Sequence, residues 1–276
     1  MYVRNLVEDI SQDATLIPCE HGLSYYIETK KHKILFDLGA SDLFAKNGKR
    51  LGIDLKDVDT VILSHGHYDH TGGLRHFMQM NSKADIYLRV EATGDYYSKK
   101  EGGFVYIGME PELKKSDRIH WVSKELRIDD ELLLFGDVTN RECMADSNSH
   151  LKVMQNGEYV QDSFNHEQSL LITQGTDAYL IAGCMHCGVV NILKRAEEFL
   201  GDKKLRAVFG GLHISNPRTK QPPKQELVEE LAEHLKKYEN TVFYTGHCTG
   251  REGFEMLHQL LPEQIQYLFT GQDYGA

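Results

Sequence analysis

Within Ser64-His65-Gly66-His67-Tyr68-Asp69-His70, four side chains that bind metal ions fall between positions 65 and 70. Imidazole and carboxylate donors suit a divalent transition metal, with zinc first and iron or manganese next, and no thiolate is needed. The segment cannot be a regular strand, because 65, 67 and 69 would share one face while His70 pointed to the other. A loop or a helix start lets the His65/His67 pair and the Asp69/His70 pair address two neighbouring metal positions, and Gly66 leaves room for a tight turn between the first two histidines. Metal held there would lower the pKa of a bound water from about 16 towards 7, and Asp69 would orient or deprotonate that water. A histidine-rich surface loop is the weaker reading, since four donors at this density rarely arise without a metal.

Four donors in one loop do not complete two sites, so further ligands are expected at the ends of later strands. His186 follows the run Ile181-Ala182-Gly183-Cys184, and His247 follows residues 241–245; these two are the expected additional ligands. His213, after Gly210-Gly211, and His166, before residues 168–173, are candidates either for ligation or for contacting substrate, and Glu20 and His21 for contacting substrate. The two glycines before His213 would let backbone amides approach an anion closely. Cys184 either ligates metal as thiolate or packs against a sheet. A redox or zinc role for Cys184-x-x-Cys187 is disfavoured, because His186 inside the pair has the better role. Asp37 either tunes a ligand histidine or caps a turn.

These residues need elements to place them. Residues 23–28 and 34–38 read as a hairpin around the basic turn Lys30-Lys31-His32-Lys33, and 41–51 as a short helix. Residues 60–63 form a brief apolar, β-branched run ending at Ser64, the pattern of a buried central strand. The middle, from about 86 to 164, reads as β-rich, with strands at 86–90 and 131–135 and a hairpin turn at Asn156-Gly157. Another hairpin is expected from 168–173 and 177–183. The rhythm then changes to helix 190–200, strand 205–209, helix 223–238 with a stripe of Leu227, Leu231, Leu235 and Tyr238, and strand 241–245. No repeat or composition break marks a boundary, so one domain over 1–276 is expected. The order implies an α/β fold, an αββα sandwich of two facing mixed sheets with helices outside, its ligands on loops at one edge.

Composition narrows the partners. Of the 276 residues 41% are hydrophobic and 26% charged, which is ordinary for one globular core. The net charge of −10, with no basic stripe, disfavours nucleic acid. It leaves room for an anionic small substrate, because bound metal ions dominate their local field. The longest apolar stretch, near 178–185, is too short to cross a bilayer. Charges in Met-Tyr-Val-Arg-Asn-Leu-Val-Glu-Asp interrupt any signal-like region. Five scattered cysteines fit reduced thiols in a cytoplasm better than a disulfide framework. The oligomeric state is left open.

The stretch Ser-His-Gly-His-Tyr-Asp-His-Thr-Gly-Gly at 64–73 resembles the signature of the metallo-β-lactamase superfamily. Phe36-Asp37-Leu38-Gly39 is similar to its Asp-x-Gly strand end, and Thr245-Gly246-His247 to its final ligand loop. Four further stretches together resemble one subgroup, the dihydropterin-linked ribofuranosylaminobenzene phosphate synthases. They are Glu20-His21-Gly22-Leu23-Ser24, His166-Glu167-Gln168-Ser169-Leu170, the segment 183–191 and Gly210-Gly211-Leu212-His213. The likeness runs from about residue 5 to about residue 250. It implies that His65 and His67 serve a first metal, that Asp69, His70 and His247 serve a second, and that Gly183-Cys184 stands where many hydrolases carry Gly-Asp with a bridging carboxylate. His186 is then the implied replacement ligand at the first metal.

Two classes of function follow. The first is a metal-dependent enzyme acting on a phosphorylated small molecule, either hydrolysing a phosphoester or, as the resemblance alone implies, joining an aromatic carbon to a pterin methylene as diphosphate leaves. The second is a non-catalytic, metal-bound binding or regulatory protein on the same scaffold. The intact His65/His67/Asp69/His70 set favours the enzyme.

Overall fold

The computed structural model describes residues 1–216 and 222–275. The chain divides into two compact units, each discontinuous in sequence. The first holds Met1–Gly94, Ile107–Ser123 and the segment from Leu268 onward, and the second holds Asp95–Tyr106 and Lys124–Tyr267.

The first unit is built on a seven-stranded mixed sheet. Its neighbours run Asp273–Tyr274, Tyr2–Val7, Ser24–Glu28, Lys33–Phe36, Thr60–Ile62, Asp85–Arg89 and Ile119–Val122. The expected hairpin is present, with Tyr26 opposite Leu35. Pairing becomes parallel at Lys33–Phe36/Thr60–Ile62, because helix Leu43–Arg50 carries the chain back before the next strand begins. Helix Leu74–Met80 does the same before Asp85–Arg89. Thr60–Ile62 is central and buried at every position, as its unbroken apolar character requires. Phe44, Leu74 and Phe77 from the helices close over Leu35, Val61, Ile86 and Leu88. Each of these side chains contributes roughly 1.5–3 kcal/mol by leaving water.

The second unit carries a seven-stranded mixed sheet of its own. The order is Ile265–Tyr267, Val242–Thr245, Lys204–Phe209, Asp177–Ile181, Ser169–Gln174, Leu132–Phe135 and Leu126–Arg127. Here too the chain lays down antiparallel strands first and then switches to parallel ones, through helices Val189–Leu200, Gln225–Leu235 and Arg251–Leu260. Helix Gln225–Leu235 buries Val228, Leu231, Ala232 and Leu235, so Leu231 and Leu235 of the expected stripe are buried, while Leu227 is half-buried. A four-stranded antiparallel sheet, in the order Glu158–Gln161, Leu151–Gln155, Tyr96–Lys100 and Gly103–Tyr106, completes the unit. Asn156 and Gly157 turn its hairpin with φ of 51° and 85°, the left-handed pair that a two-residue turn needs.

In both units the donor residues sit just past the C-terminal ends of parallel strands. These are the positions where α/β sheets expose loops to ligands.

Candidate metal centre

In the first unit the anchor is Asp37, which follows strand Lys33–Phe36, is fully buried and holds a left-handed backbone with φ of 59°. Its Oδ1 accepts from the Ser64 amide at 2.7 Å, its Oδ2 accepts from Ser64 Oγ at 2.7 Å, and His70 Nδ1 lies 2.7 Å from the same Oδ2. A carboxylate beside Nδ1 keeps the imidazole proton there and leaves the lone pair at His70 Nε2. Ser64 Oγ spends its proton on Asp37, so it accepts from His65 Nδ1 at 2.8 Å, and the His65 lone pair is left at Nε2. That Nε2 faces His67 Nδ1 at 3.0 Å. Two imidazole nitrogens, each about 2.0–2.1 Å from one zinc ion in tetrahedral geometry, stand roughly 3.3 Å apart, close to this spacing. The His65 ring centroid lies 4.5 Å from that of His67 and 4.2 Å from that of His70.

Asp69 joins them from the first turn of the short helix Tyr68–Thr71, which begins directly after His67. Its Oδ2 lies 3.6 Å from His70 Nε2 and 3.3 Å from His21 Nε2, and His21 Nδ1 in turn lies 2.9 Å from Asp9 Oδ2. Three buried imidazoles and a carboxylate converging on one place, with a second carboxylate orienting one of them, fit a divalent transition cation. The bend at 65–66 makes no use of a left-handed Gly66. The glycines that the motif requires come later. A Cβ at Gly72 would run into the Ala40 carbonyl, and one at Gly73 into the Leu38 carbonyl and the Phe44 ring. Gly22 is bare for a related reason, since its Cβ would stand 2.7 Å from the Asp69 carbonyl; this lets His21 pass close to Asp69. Glu20 is engaged differently, accepting from the Ser41 amide and hydroxyl at 3.0 and 2.7 Å.

In the second unit three loops supply donors. After strand Asp177–Ile181 the chain turns through Cys184 and His186, and the buried Glu167 carboxylate clasps that turn. It accepts from the His186 amide at 2.7 Å and the Cys187 amide at 2.9 Å. Burial pushes the Glu167 carboxyl above its ordinary range, against the amides, which pull the other way. Asn148 holds His186 from both sides: its amide donates to the His186 carbonyl at 2.8 Å, and its Oδ1 lies 3.3 Å from His186 Nδ1. The Phe164 ring stacks on His186 at 4.8 Å. Donor atoms of Cys184, His186 and His213 lie within 4.8 Å of one another, and so do those of Cys184, His247 and Cys248. Met185, His213 and His247 hold left-handed backbones with φ of 51°, 49° and 48°, a strain that concentrates at functional sites. Burial alone would raise the Cys248 thiol, but the Cys184 and His213 side chains beside it and the nearby His247 hold it well below the usual thiol range.

The expectation that the Gly210 and Gly211 amides face an anion is corrected here. Gly210 N donates to the Tyr244 carbonyl at 3.1 Å and Gly211 N to the Gly183 carbonyl at 2.8 Å. These glycines serve close packing instead, because a Cβ at Gly210 would stand 2.5 Å from the Ala182 carbonyl. His166 is buried, with Nε2 3.1 Å from Asp162 Oδ2 and its ring 4.0 Å from that of Tyr96. No disulfide joins Cys184 to Cys187; burial and the Glu167 charge push the Cys187 thiol far up, and it donates to the Phe164 carbonyl at 3.7 Å. Sequence reasoning missed Asn148, the clasping role of Glu167 and the position of Cys248. Only Cys248 left a signal, as a thiol directly after a candidate ligand histidine.

The profile of the Metallo-beta-lactamase superfamily matches residues 17–154. The chain is 28% identical to the 7,8-dihydropterin-6-methyl-4-(beta-D-ribofuranosyl)-aminobenzene-5'-phosphate synthase of Methanocaldococcus jannaschii, over 98% of this chain and 95% of that one. Among solved structures it is similar to Tm1679, a metal-dependent hydrolase of the beta-lactamase superfamily, with a TM-score of 0.83, 28% identity, and 100% and 99% of the two chains covered. It shares its fold with YhfI from Bacillus subtilis, at a TM-score of 0.56 and 11% identity over 99% of each chain. By its matched profile and its fold, this chain belongs to the metallo-β-lactamase superfamily.

Proposed function

We propose that this chain is a metal-dependent enzyme, a single metallo-β-lactamase-like domain over 1–276, that acts on a phosphorylated small molecule in the cytoplasm. The observation that carries this is the first unit's buried convergence of His65, His67, His70 and Asp69, with Asp37 fixing His70. Those four would hold metal, and His186 and His247 are the second unit's nitrogen ligands. The metal, when bound, supplies Lewis acidity for a phosphate oxygen and for the attacking group. Ser64 and Asp37 fix the imidazole tautomers, so that His65 Nε2 and His70 Nε2 are presented as lone pairs. The Asp69 carboxylate orients the nucleophile and takes its proton at Oδ2, and His21 holds that carboxylate in place from the more exposed side. His213, His166 and Glu20 are proposed to contact substrate.

One similar protein supports the substrate class and the other supports a metal-dependent reaction. One is named for a pterin-bearing phosphate product and a synthase reaction, the other as a metal-dependent hydrolase. A bound cation can hold one phosphate on a chain of net charge −10 without any basic surface. The test is turnover by metal-loaded protein on a panel of phosphomonoesters, phosphodiesters and a pterin methyl diphosphate with an aromatic acceptor. Turnover of a phosphorylated compound that is lost on chelation and in Asp69→Asn is the expected result. Turnover confined to unphosphorylated esters or amides would overturn the substrate class, and metal uptake without turnover of any compound would favour the binding-protein alternative.

A further inference from the structure

The thiols of the second unit are not accounted for by a nitrogen-and-oxygen ligand set. Cys184 is 3% exposed and Cys248 is half-buried, and their donor atoms share a 4.8 Å cluster with that of His247. Cys184 also belongs to the cluster that contains His213. Both ring nitrogens of His213 are buried and make no hydrogen bond among the described residues, an expensive state for a polar ring that has no ligand to meet. The backbone is shaped to bring these groups together. Gly211 has no Cβ because Cys248 Sγ occupies that space, and the left-handed His213 and His247 turn their loops at the strand ends. Cys248 Sγ also lies 3.6 Å from the Cys184 carbonyl, which ties the two loops to each other.

We infer that Cys184, Cys248, His213 and His247 form a sulfur-and-imidazole site for a soft divalent ion, zinc or ferrous iron, lying wholly within the second unit. Two thiolates and two imidazoles are the composition of a tetrahedral zinc site. A ligating thiol that still carries its proton gives it up to solvent as the ion binds. The inference rests on the metal-binding reading above and revises it in one respect: His213 ligates metal in place of His186 instead of contacting substrate. It replaces the carboxylate that bridges metals in many related hydrolases with thiolate sulfur, which selects softer ions over magnesium or manganese.

Cobalt(II) is the probe, because thiolate–cobalt bonds absorb in the near-ultraviolet and imidazole–cobalt bonds do not. The full-length protein loaded anaerobically with cobalt should show that band. Cys184→Ser and Cys248→Ser should each weaken it at least twofold, and the double variant should abolish it. Cys187→Ser should leave it intact. The band should survive in His65→Ala/His67→Ala, since none of its ligands lies in the first unit. Cobalt uptake without the band, or a band that persists in the folded Cys184→Ser/Cys248→Ser variant, would overturn the sulfur site and leave the metal-dependent reading standing. No cobalt uptake by the wild type at all would overturn both. Circular dichroism of each variant separates loss of ligand from loss of fold.

Discussion

Asp37 receives hydrogen bonds from Ser64 N and Ser64 Oγ and faces His70 Nδ1, so one carboxylate fixes the tautomers of two candidate ligands. Asp37→Asn keeps the shape and removes the charge. Its cost in metal affinity should be about 10- to 100-fold, the usual range for the outer partner of a ligand histidine, and a competition titration against a chelator measures it. Asn148→Ala should act in the same direction through His186, and should also lower the melting temperature of the metal-free protein, because the buried His186 carbonyl loses its donor. Cys143 offers a different reading. Burial, first, and the Glu230 carboxylate, second, push its thiol up to about 12. It therefore stays a neutral thiol at physiological pH, and its alkylation by iodoacetamide should quicken about tenfold per pH unit until pH approaches 12; a rate already flat at neutral pH would contradict this. The donor loop was legible in the sequence because its four ligands are contiguous. Asn148 and Glu167 were not, because they act across 38 and 19 positions of chain and only folding brings them to His186.

Among the elements, the strand ends set the geometry. Thr60–Ile62 delivers Ser64 and His65, and the chain can then fold back past Leu38 and Ala40 only because Gly72 and Gly73 have no side chains. Gly73→Ala should destabilise the protein by about 1–3 kcal/mol, read as a lower denaturant midpoint, as expected when a methyl group is forced against backbone and a packed ring. The strands around the site were readable from short apolar runs, and the turn at Asn156-Gly157 from its residue types. Strand Tyr2–Val7 was not, because Arg4 and Asn5 interrupt its apolar pattern. In the structure Arg4 pairs with Asp273, and the Asn5 side-chain amide donates to the Leu268 carbonyl at 2.6 Å. Helix Gln225–Leu235 buries Leu231 and Leu235 as expected, while Val228 takes the buried place expected of Leu227.

For the whole molecule, each unit runs from antiparallel to parallel pairing along the chain and ends its parallel strands in donor-bearing loops. No helix among the described residues is long and apolar enough to cross a membrane. Metal binding that favours the folded state should raise the melting temperature, and at free metal 100 times the dissociation constant the gain is about 2.7 kcal/mol. Chelation should remove that gain reversibly. The claim on which the rest depends is that His65 and His67 hold metal, and elemental analysis of protein purified without added metal tests it most directly. His65→Ala/His67→Ala, folded by circular dichroism, should carry one metal ion fewer per chain than the wild type; a folded double variant with unchanged metal content would contradict the assignment.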